Sequence, residues 1–176
     1  GSTGLQYTHR DFFAEGAEAY VPPNLTDQVA IFTLQELGTG PFQFEAAARA
    51  EFTKVKAQTL GIENDYDTFS GALGVVYEGI EGVRLGLNGS RAERAPSAEE
   101  LFSDGPHIAT QSYELGDAGL GNEVANRVEV GLAWHPGAVR VKGSVYYARF
   151  QDFIYLAETG LIEDDLPLRQ AIITSQ

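Results

Sequence analysis

Apolar and polar residues alternate along much of this chain with a period of two, the spacing that sends successive side chains to opposite faces of a strand. The clearest run extends from Phe42 to about Lys56. Its even positions are Phe42, Phe44, Ala46, Ala48, Ala50 and Phe52, and its odd positions include Gln43, Glu45, Arg49, Glu51 and Thr53. Similar alternation predicts strands over Thr3 to Phe12, Gln28 to Leu37, Thr68 to Glu78, Val83 to Asn88 and Val124 to Trp134, and a last long strand from Val139 to about Tyr155. That makes about seven strands. Tight turns are expected at Gly38–Pro41, Gly79–Gly82 and His135–Ala138, where Gly and Pro cluster. Loops are expected over Ala14–Thr26, over the acidic stretch Lys56–Asp67, and through the tail from Leu156 to Gln176, so that short and long connections alternate.

The longest connection, Arg91 to Glu123, carries structure of its own. Pro96 stops the preceding strand because it cannot donate to a ladder. Ser97 and Glu100 have the spacing of a capping box and predict a short helical turn through Leu101-Phe102, broken by Asp104-Gly105-Pro106. A loop this long and this ordered is usually functional.

Aromatic residues bracket the apolar faces at a constant interval. Phe44 and Phe52 are eight positions apart, as are Phe69 and Tyr77. Eight residues span roughly 26 Å along a strand, or roughly 20 Å of height when tilted by about 40°. An outer-membrane barrel presents an apolar band about 25 Å tall with aromatic girdles at its rims. Phe44, Phe52, Phe69, Tyr77 and Trp134 are therefore expected to form a lipid-facing girdle. Arg49, Glu51, Arg84, Arg127 and Glu129, on the alternate positions, are expected to face a lumen. The competing reading is a soluble β-sandwich that binds a ligand such as a carbohydrate. A sandwich core would favour large side chains mid-strand, where this chain has Ala46, Ala48 and Ala50.

Composition narrows the classes. Twenty-five acidic against 12 basic residues give a net charge of −13, which argues against nucleic acid as a partner. There is no cysteine, so disulfides, thiolate nucleophiles and cysteine metal sites are excluded. No convergent catalytic set is visible, and an enzyme is not expected. His107, on the long loop, is a candidate metal ligand with Asp104, Glu114 and Asp117 as carboxylate partners. The bland alternative is that His107 anchors the loop. His9 is a weaker candidate near Glu15 and Glu18, and His135 reads as a turn residue. Glu99 and Glu100 fit a solvated side chain and a capping partner better than an acid–base pair. Gly116–Gly121 lacks the lysine and the strand–loop–helix setting of a phosphate loop. Asn88-Gly89-Ser90 matches a glycosylation sequon but lies in a strand, and Asn64–Asp67 reads as an acidic loop with weak calcium potential.

An ordered series of motifs goes further. Arg94-Ala95-Pro96, Glu100-Leu101-Phe102, Gly105-Pro106-His107-Ile108-Ala109-Thr110, Tyr113 to Asp117, Leu120-x-x-Glu123, Val128 to Leu132 and Phe150-x-x-Phe153-Ile154-Tyr155-Leu156 resemble the C-terminal barrel region of TonB-dependent outer-membrane receptors. Glu18-Ala19-Tyr20-x-Pro22-Pro23 and Ala46–Glu51 resemble the same family. The Gly-Pro-His-x-Ala-Thr stretch is similar to its zinc-uptake branch. The resemblance implies an all-β, antiparallel up-and-down fold, part of a transmembrane barrel of about 22 strands. It implies active uptake of a scarce nutrient across the outer membrane of a Gram-negative bacterium, powered by the TonB complex through a plug domain. The partners implied are outer-membrane lipid, the TonB complex and the solute. No resident cofactor is implied, only a transported zinc or other metal. The plug and the closing strands are not in residues 1–176, so the chain is expected to be a fragment with two open edges.

Overall fold

A computed structural model describes residues 1–16, 19–135 and 137–174. Glu18 of the Glu18–Pro23 motif, Pro136 of the expected turn and Ser175-Gln176 of the tail lie outside the described residues. In chain order the elements are β1 (Ser2–Phe12), β2 (Asn24–Thr39), β3 (Phe42–Ala57), β4 (Ile62–Ile80), β5 (Val83–Arg94), α1 (Ala98–Phe102), β6 (Asp104–His107), β7 (Ser112–Leu115), β8 (Glu123–Trp134), β9 (Val141–Gln151), β10 (Phe153–Glu163) and β11 (Leu166–Thr174). A seven-stranded sheet has the order β1-β2-β3-β4-β5-β8-β9, and a four-stranded sheet has the order β10-β11-β7-β6. The large sheet is antiparallel throughout. The antiparallel, up-and-down strands predicted by alternation are these seven.

Registers bring the alternation of separate strands into common faces. The row Tyr7, Val29 and Phe52 lies on one face, as does the row Leu37, Phe44, Val75, Leu87, Val130 and Val145. Many side chains of this face are exposed, Leu73 at 70% and Val145 at 77% among them. The opposite face carries Arg49, Glu51, Arg84, Arg127 and Glu129, joined by Gln6, Gln28, Asn88, Lys142 and Tyr146.

The apolar face is bounded obliquely. Its limit toward the long-loop end is Tyr7 on β1, Phe52 on β3, Phe69 on β4, Val128 on β8 and Tyr147 on β9, followed by His9, Lys54, Asp67, Asn126 and Arg149. Val128 is in register with Ala46 through Gly89 and Leu73, so the limit falls by six residues across the seven strands. Six residues are roughly 20 Å along a strand, and six strand spacings are roughly 29 Å across. The boundary is level from β1 to β3 and from β8 to β9 and falls between β3 and β8, so its mean inclination across the sheet is roughly 35°, comparable to that of strands in a closed barrel.

Four expectations need correction. The stretch Lys56–Asp67 is not a loop. β3 and β4 stay paired from Ala57↔Ile62 down, with a tight turn between them. Its polarity misleads because Lys54 meets Glu63 at 2.7 Å and Asp65 at 3.3 Å, and Lys56 meets Glu63 at 3.3 Å, as cross-strand ion pairs. The tail is also not a loop. Asp164 and Asp165 both have positive φ (48° and 60°), the conformation of a two-residue hairpin turn, and they join β10 to β11. The last long strand ends at Gln151, where Asp152 (φ 53°) turns the chain into the second sheet. Finally, β2 begins at Asn24, β4 at Ile62 rather than Thr68, and β5 continues to Arg94.

The buried core lies at one end. Val55, Ala57 and Tyr66, on the charged-face side of β3 and β4, cluster with Ala98, Leu101 and Phe102 of α1, with Leu120, and with Ile154 and Ala171 of the small sheet. The helix, the connection 103–122 and the small sheet thus form a cap over one end of the polar face. The three tight turns lie at the other end.

Candidate functional site

The cap and the charged face beneath it form the candidate site. α1 is only five residues long and is held by its capped ends together with the packing of Ala98, Leu101 and Phe102. Ser97 Oγ accepts from the Glu100 backbone N–H (3.2 Å), and the Glu100 carboxylate accepts from the Ser97 N–H (2.8 Å). At the other end the N–H groups of Gly116 and Asp117 donate to the carbonyls of Ser103 (2.7 Å) and Glu100 (3.0 Å). Position 116 must be glycine, because a Cβ there would stand 2.6 Å from the Leu101 carbonyl carbon. The Gly116–Gly121 stretch is therefore a helix cap.

Charged groups fasten the cap to the wall. Arg94, at the end of β5, reaches both Glu100 (2.8 and 2.9 Å) and Glu123 of β8 (3.2 Å). Glu123 also accepts from the buried Ile154 N–H at 2.9 Å, which ties in β10. Arg10 on β1 reaches Glu99 at 2.6 Å. Upper β4 leaves the β5 ladder at Gly71, and just beyond it Phe69 and Ser70 still reach Glu93 of β5 by side-chain hydrogen bonds. Its edge is sealed instead by Asn64 donating to the Ala118 carbonyl (2.8 Å), Tyr66 to Leu120 (3.1 Å) and Asn122 to Asp67 (2.8 Å).

These contacts set the ionisation of the cap. Burial by itself would raise the Glu100 carboxyl, but donation from Arg94 and from the Ser97 N–H outweighs it and holds the group below its ordinary range. Glu99 is likewise lowered, with burial opposed by Arg10. A carboxyl whose folded-state pKa is depressed stabilises above its unfolded value, about 4.3, and that stability is lost as pH falls through the folded value. Hydrogen-exchange protection factors over residues 98–103 are expected to fall between about pH 5 and about pH 3. Unchanged protection across that window would show that these ion pairs do not hold the helix. Tyr113 donates to Asp104 at 2.7 Å, and this bond chiefly pushes its hydroxyl pKa up to about 12.

Of the four candidate metal ligands, the structure brings two together. His107 Nδ1 lies 2.9 Å from the buried Glu114 carboxylate, which also accepts from Thr110 at 2.9 Å. Asp104 is engaged by Tyr113, and Asp117 accepts from the Gly119 N–H at 2.8 Å. Among the described residues no group of three His, Asp or Glu converges as a metal would require. His107 also stacks on Tyr20, with centroids 4.5 Å apart, and the Asp104 N–H donates to the Tyr20 carbonyl at 2.7 Å, so the β1–β2 loop is docked on the cap. His9 pairs with Asp27 at 2.8 Å beside Tyr7. His135 joins two tight turns through Gly82 at 2.9 Å. Asn64 and Asp67 serve the β4 edge as described, and Asn88 lies in β5.

On the wall, Arg49 pairs with Glu51 and donates to Gln6 at 3.1 Å. Arg127 pairs with Glu129 at 2.6 Å and lies over the Tyr146 ring at 4.5 Å, and Arg84 meets Glu78 at 3.2 Å. Phe44, Phe52, Phe69 and Trp134 stand exposed on the apolar face, and Tyr77 is half-buried against Phe42. Sequence reasoning missed Tyr20, Arg10 and Glu123. Their roles depend on contacts across many residues, and only the motif order around Tyr20 and Glu123 marked them.

Antiparallel strands, one apolar face with an oblique boundary, one charged face and a cap at one end define a segment of β-barrel wall. Residues 1–170 match the family described as TonB dependent receptor-like, beta-barrel, and the chain belongs to that family. Among solved structures it is similar to the hemophore receptor HasR of Serratia marcescens, with a TM-score of 0.73 and 14% identity over 97% of this chain and 33% of that one. It is similar to the copper transporter OprC, with a TM-score of 0.73 and 19% identity over 86% and 24%. It is also similar to the FrpB iron transporter of Neisseria meningitidis, with a TM-score of 0.61 and 18% identity over 88% and 22%. The chain spans a third or less of each of these structures. At such identities the likeness establishes the fold.

Proposed function

We propose that this chain is a stretch of wall and outer mouth of an active transporter in the outer membrane of a Gram-negative bacterium. The transporter takes up a scarce nutrient with energy delivered by the TonB complex through a plug domain. The observation that carries this reading is the continuous, inclined apolar band. An exposed face of that extent needs lipid against it, with Phe44, Phe52, Phe69, Tyr77 and Trp134 toward its rims. Arg49, Glu51, Arg84, Arg127 and Glu129 then face the lumen, and the cap faces outward. A soluble sandwich would cover the band with its second sheet, whereas the small sheet here joins the cap on the other face.

The solute class favoured is a metal, including zinc, or a metal chelate, since the similar structures are those of an iron transporter, a copper transporter and a receptor complexed with a hemophore and heme. His107 and Glu114 are the pair best placed to meet it at the mouth. Family and neighbours alike are receptors and transporters, which favours transport over catalysis. A strain deleted for the parent gene is expected to grow poorly when the right metal or chelate is limiting, and to recover with the gene restored. Normal uptake of every metal and chelate tested would defeat the transport claim.

A further inference from the structure

The apolar face of the wall carries a groove that ends on arginine. Its floor is Ala46, Gly71 and Gly89, and Phe69, Leu73 and Leu87 stand around it. It encloses about 1200 Å³, and a Cβ added at Gly89 would meet no atom within 4 Å, so the space above the floor is open. Ala46, Leu73 and Gly89 share one hydrogen-bonded row, and the next row on that face toward the cap holds Gly71, Arg91, Asn126 and Arg149. On β5, β8 and β9 the apolar face stops at this second row. Arg91 closes the groove. Arg149 stands two strands further on, roughly 10 Å away across the sheet, with Asn126 between them. Glu93 holds Arg91 through Nε and Nη2 at 2.8 and 2.6 Å, whereas Arg149 is exposed and enters no ion pair among the described residues.

We propose that the groove and the arginine row bind one molecule of a phosphorylated glycolipid of the outer leaflet, with an acyl chain in the groove and phosphates on Arg91 and Arg149. The proposal rests on the transporter reading, which sets the cap outward and so places this row at the outer leaflet. Charge selects an anion, and the planar guanidinium fork matches phosphate oxygens. Both arginines root at the edge of the band, from which their stems reach toward the head groups. Glu93, itself anchored by the Phe69 N–H at 3.0 Å, fixes the Arg91 fork and leaves Nη1 without a partner among the described residues. The groove selects an amphiphile, because a soluble anion on the arginines leaves the apolar space beneath them unfilled. The spacing selects a head group with two separated anions, and the Asn126 amide between them suits a sugar hydroxyl. A second copy of the chain fits poorly, since a two-fold contact centred on the row sets arginine against arginine.

The test titrates lipid into the full-length protein, stripped of lipid in a mild detergent, and counts bound molecules by native mass spectrometry. The probe is diphosphoryl lipid A, compared with its monophosphoryl form, phosphatidylglycerol and inorganic phosphate. One diphosphoryl lipid A is expected to bind about tenfold more tightly than the monophosphoryl form or phosphatidylglycerol, and inorganic phosphate not at all. Arg91→Gln and Arg149→Gln are each expected to weaken binding by about tenfold, and Arg149→Gln to abolish the preference for the second phosphate. Gly89→Leu, which fills the groove, is expected to weaken it by about tenfold as well. Lys54→Gln, on the same rim but outside the groove, should leave binding unchanged. Folding of each variant is followed by the heat-dependent gel shift of an intact barrel. An equal loss from Lys54→Gln, or equal binding of phosphatidylglycerol, would make the rim a general anionic-lipid surface; the proposal then falls and the transporter reading stands. A dimer cross-linked through Gly89→Cys would assign the groove to a second copy, with the same consequence. Failure of the full-length protein to fractionate with the outer membrane would bring down the transporter reading itself.

Discussion

Ala48→Arg in the full-length protein is expected to destabilise the membrane-inserted state by about 2–4 kcal/mol, while Ala47→Arg, one residue away, stays within about 1 kcal/mol. The two alanines are both half-buried on β3, and they differ in the face they occupy. Ala48 is in register with Thr33 and Gly71 on the apolar face, midway between Phe44 and Phe52. A guanidinium there must sit in hydrocarbon or drag water to it. Ala47 is in register with Leu34 and Ala72 on the face that carries Arg49 and Arg127, where a further arginine remains hydrated. Urea titration of protein refolded into vesicles reads the difference. Tryptophan scanning at Ala46, Ala48, Ala50 and Leu73 with lipid-borne quenchers supplies an independent depth profile, which should peak mid-strand. Equal costs at 47 and 48, or blue emission that lipid quenchers do not touch, would mean the band is covered by protein.

Phe102→Ala is the second large effect, expected at about 3–5 kcal/mol and confined to the cap. Phe102 is 3% exposed and belongs to the cluster formed with Val55, Tyr66, Leu120, Ile154 and Ala171. α1 is too short to persist without that packing. Losing it frees the connection from Pro96 to Asn122, while the ladders around the wall from β1 to β9 do not pass through it. Limited proteolysis should therefore cut within residues 95–122 of the variant and leave the wall resistant. Uniform sensitivity along the chain would show that wall and cap unfold as one unit. Phe52→Ala, on the apolar face, is the matched control and should leave cap protection intact.

The faces of the wall were legible because strand alternation has a period of two and survives in each strand taken alone. Phe42 to Thr53 declares which side chains share a side before any partner is known. The capping box was legible for the same reason, since Ser97 and Glu100 meet within one turn. The hairpin around Gln58–Gly61 was not, because Lys54, Lys56, Glu63 and Asp65 look like solvated loop residues until their strands pair and set opposite charges side by side. The tail was misread for a related reason. Alternation is weak along β10, which exposes much of its surface, and along β11, and their place depends on β11 pairing in parallel with β7, some 55 residues earlier in the chain.

The candidate site divides the same way. Local sequence determined that His107 lies on an ordered connection, that Arg49 and Arg127 share a face, and that no cysteine chemistry is available. Only the tertiary structure decided that, among the described residues, Glu114 is the carboxylate beside His107, that Tyr20 stacks on His107, and that Arg10 reaches Glu99. It alone set Arg84 and Lys142 on either side of Ala133. The physical reason is range. Alternation and capping act over a few residues and are written into the chain directly, while ion pairs, stacking and hollows require strands distant in sequence to arrive in one register.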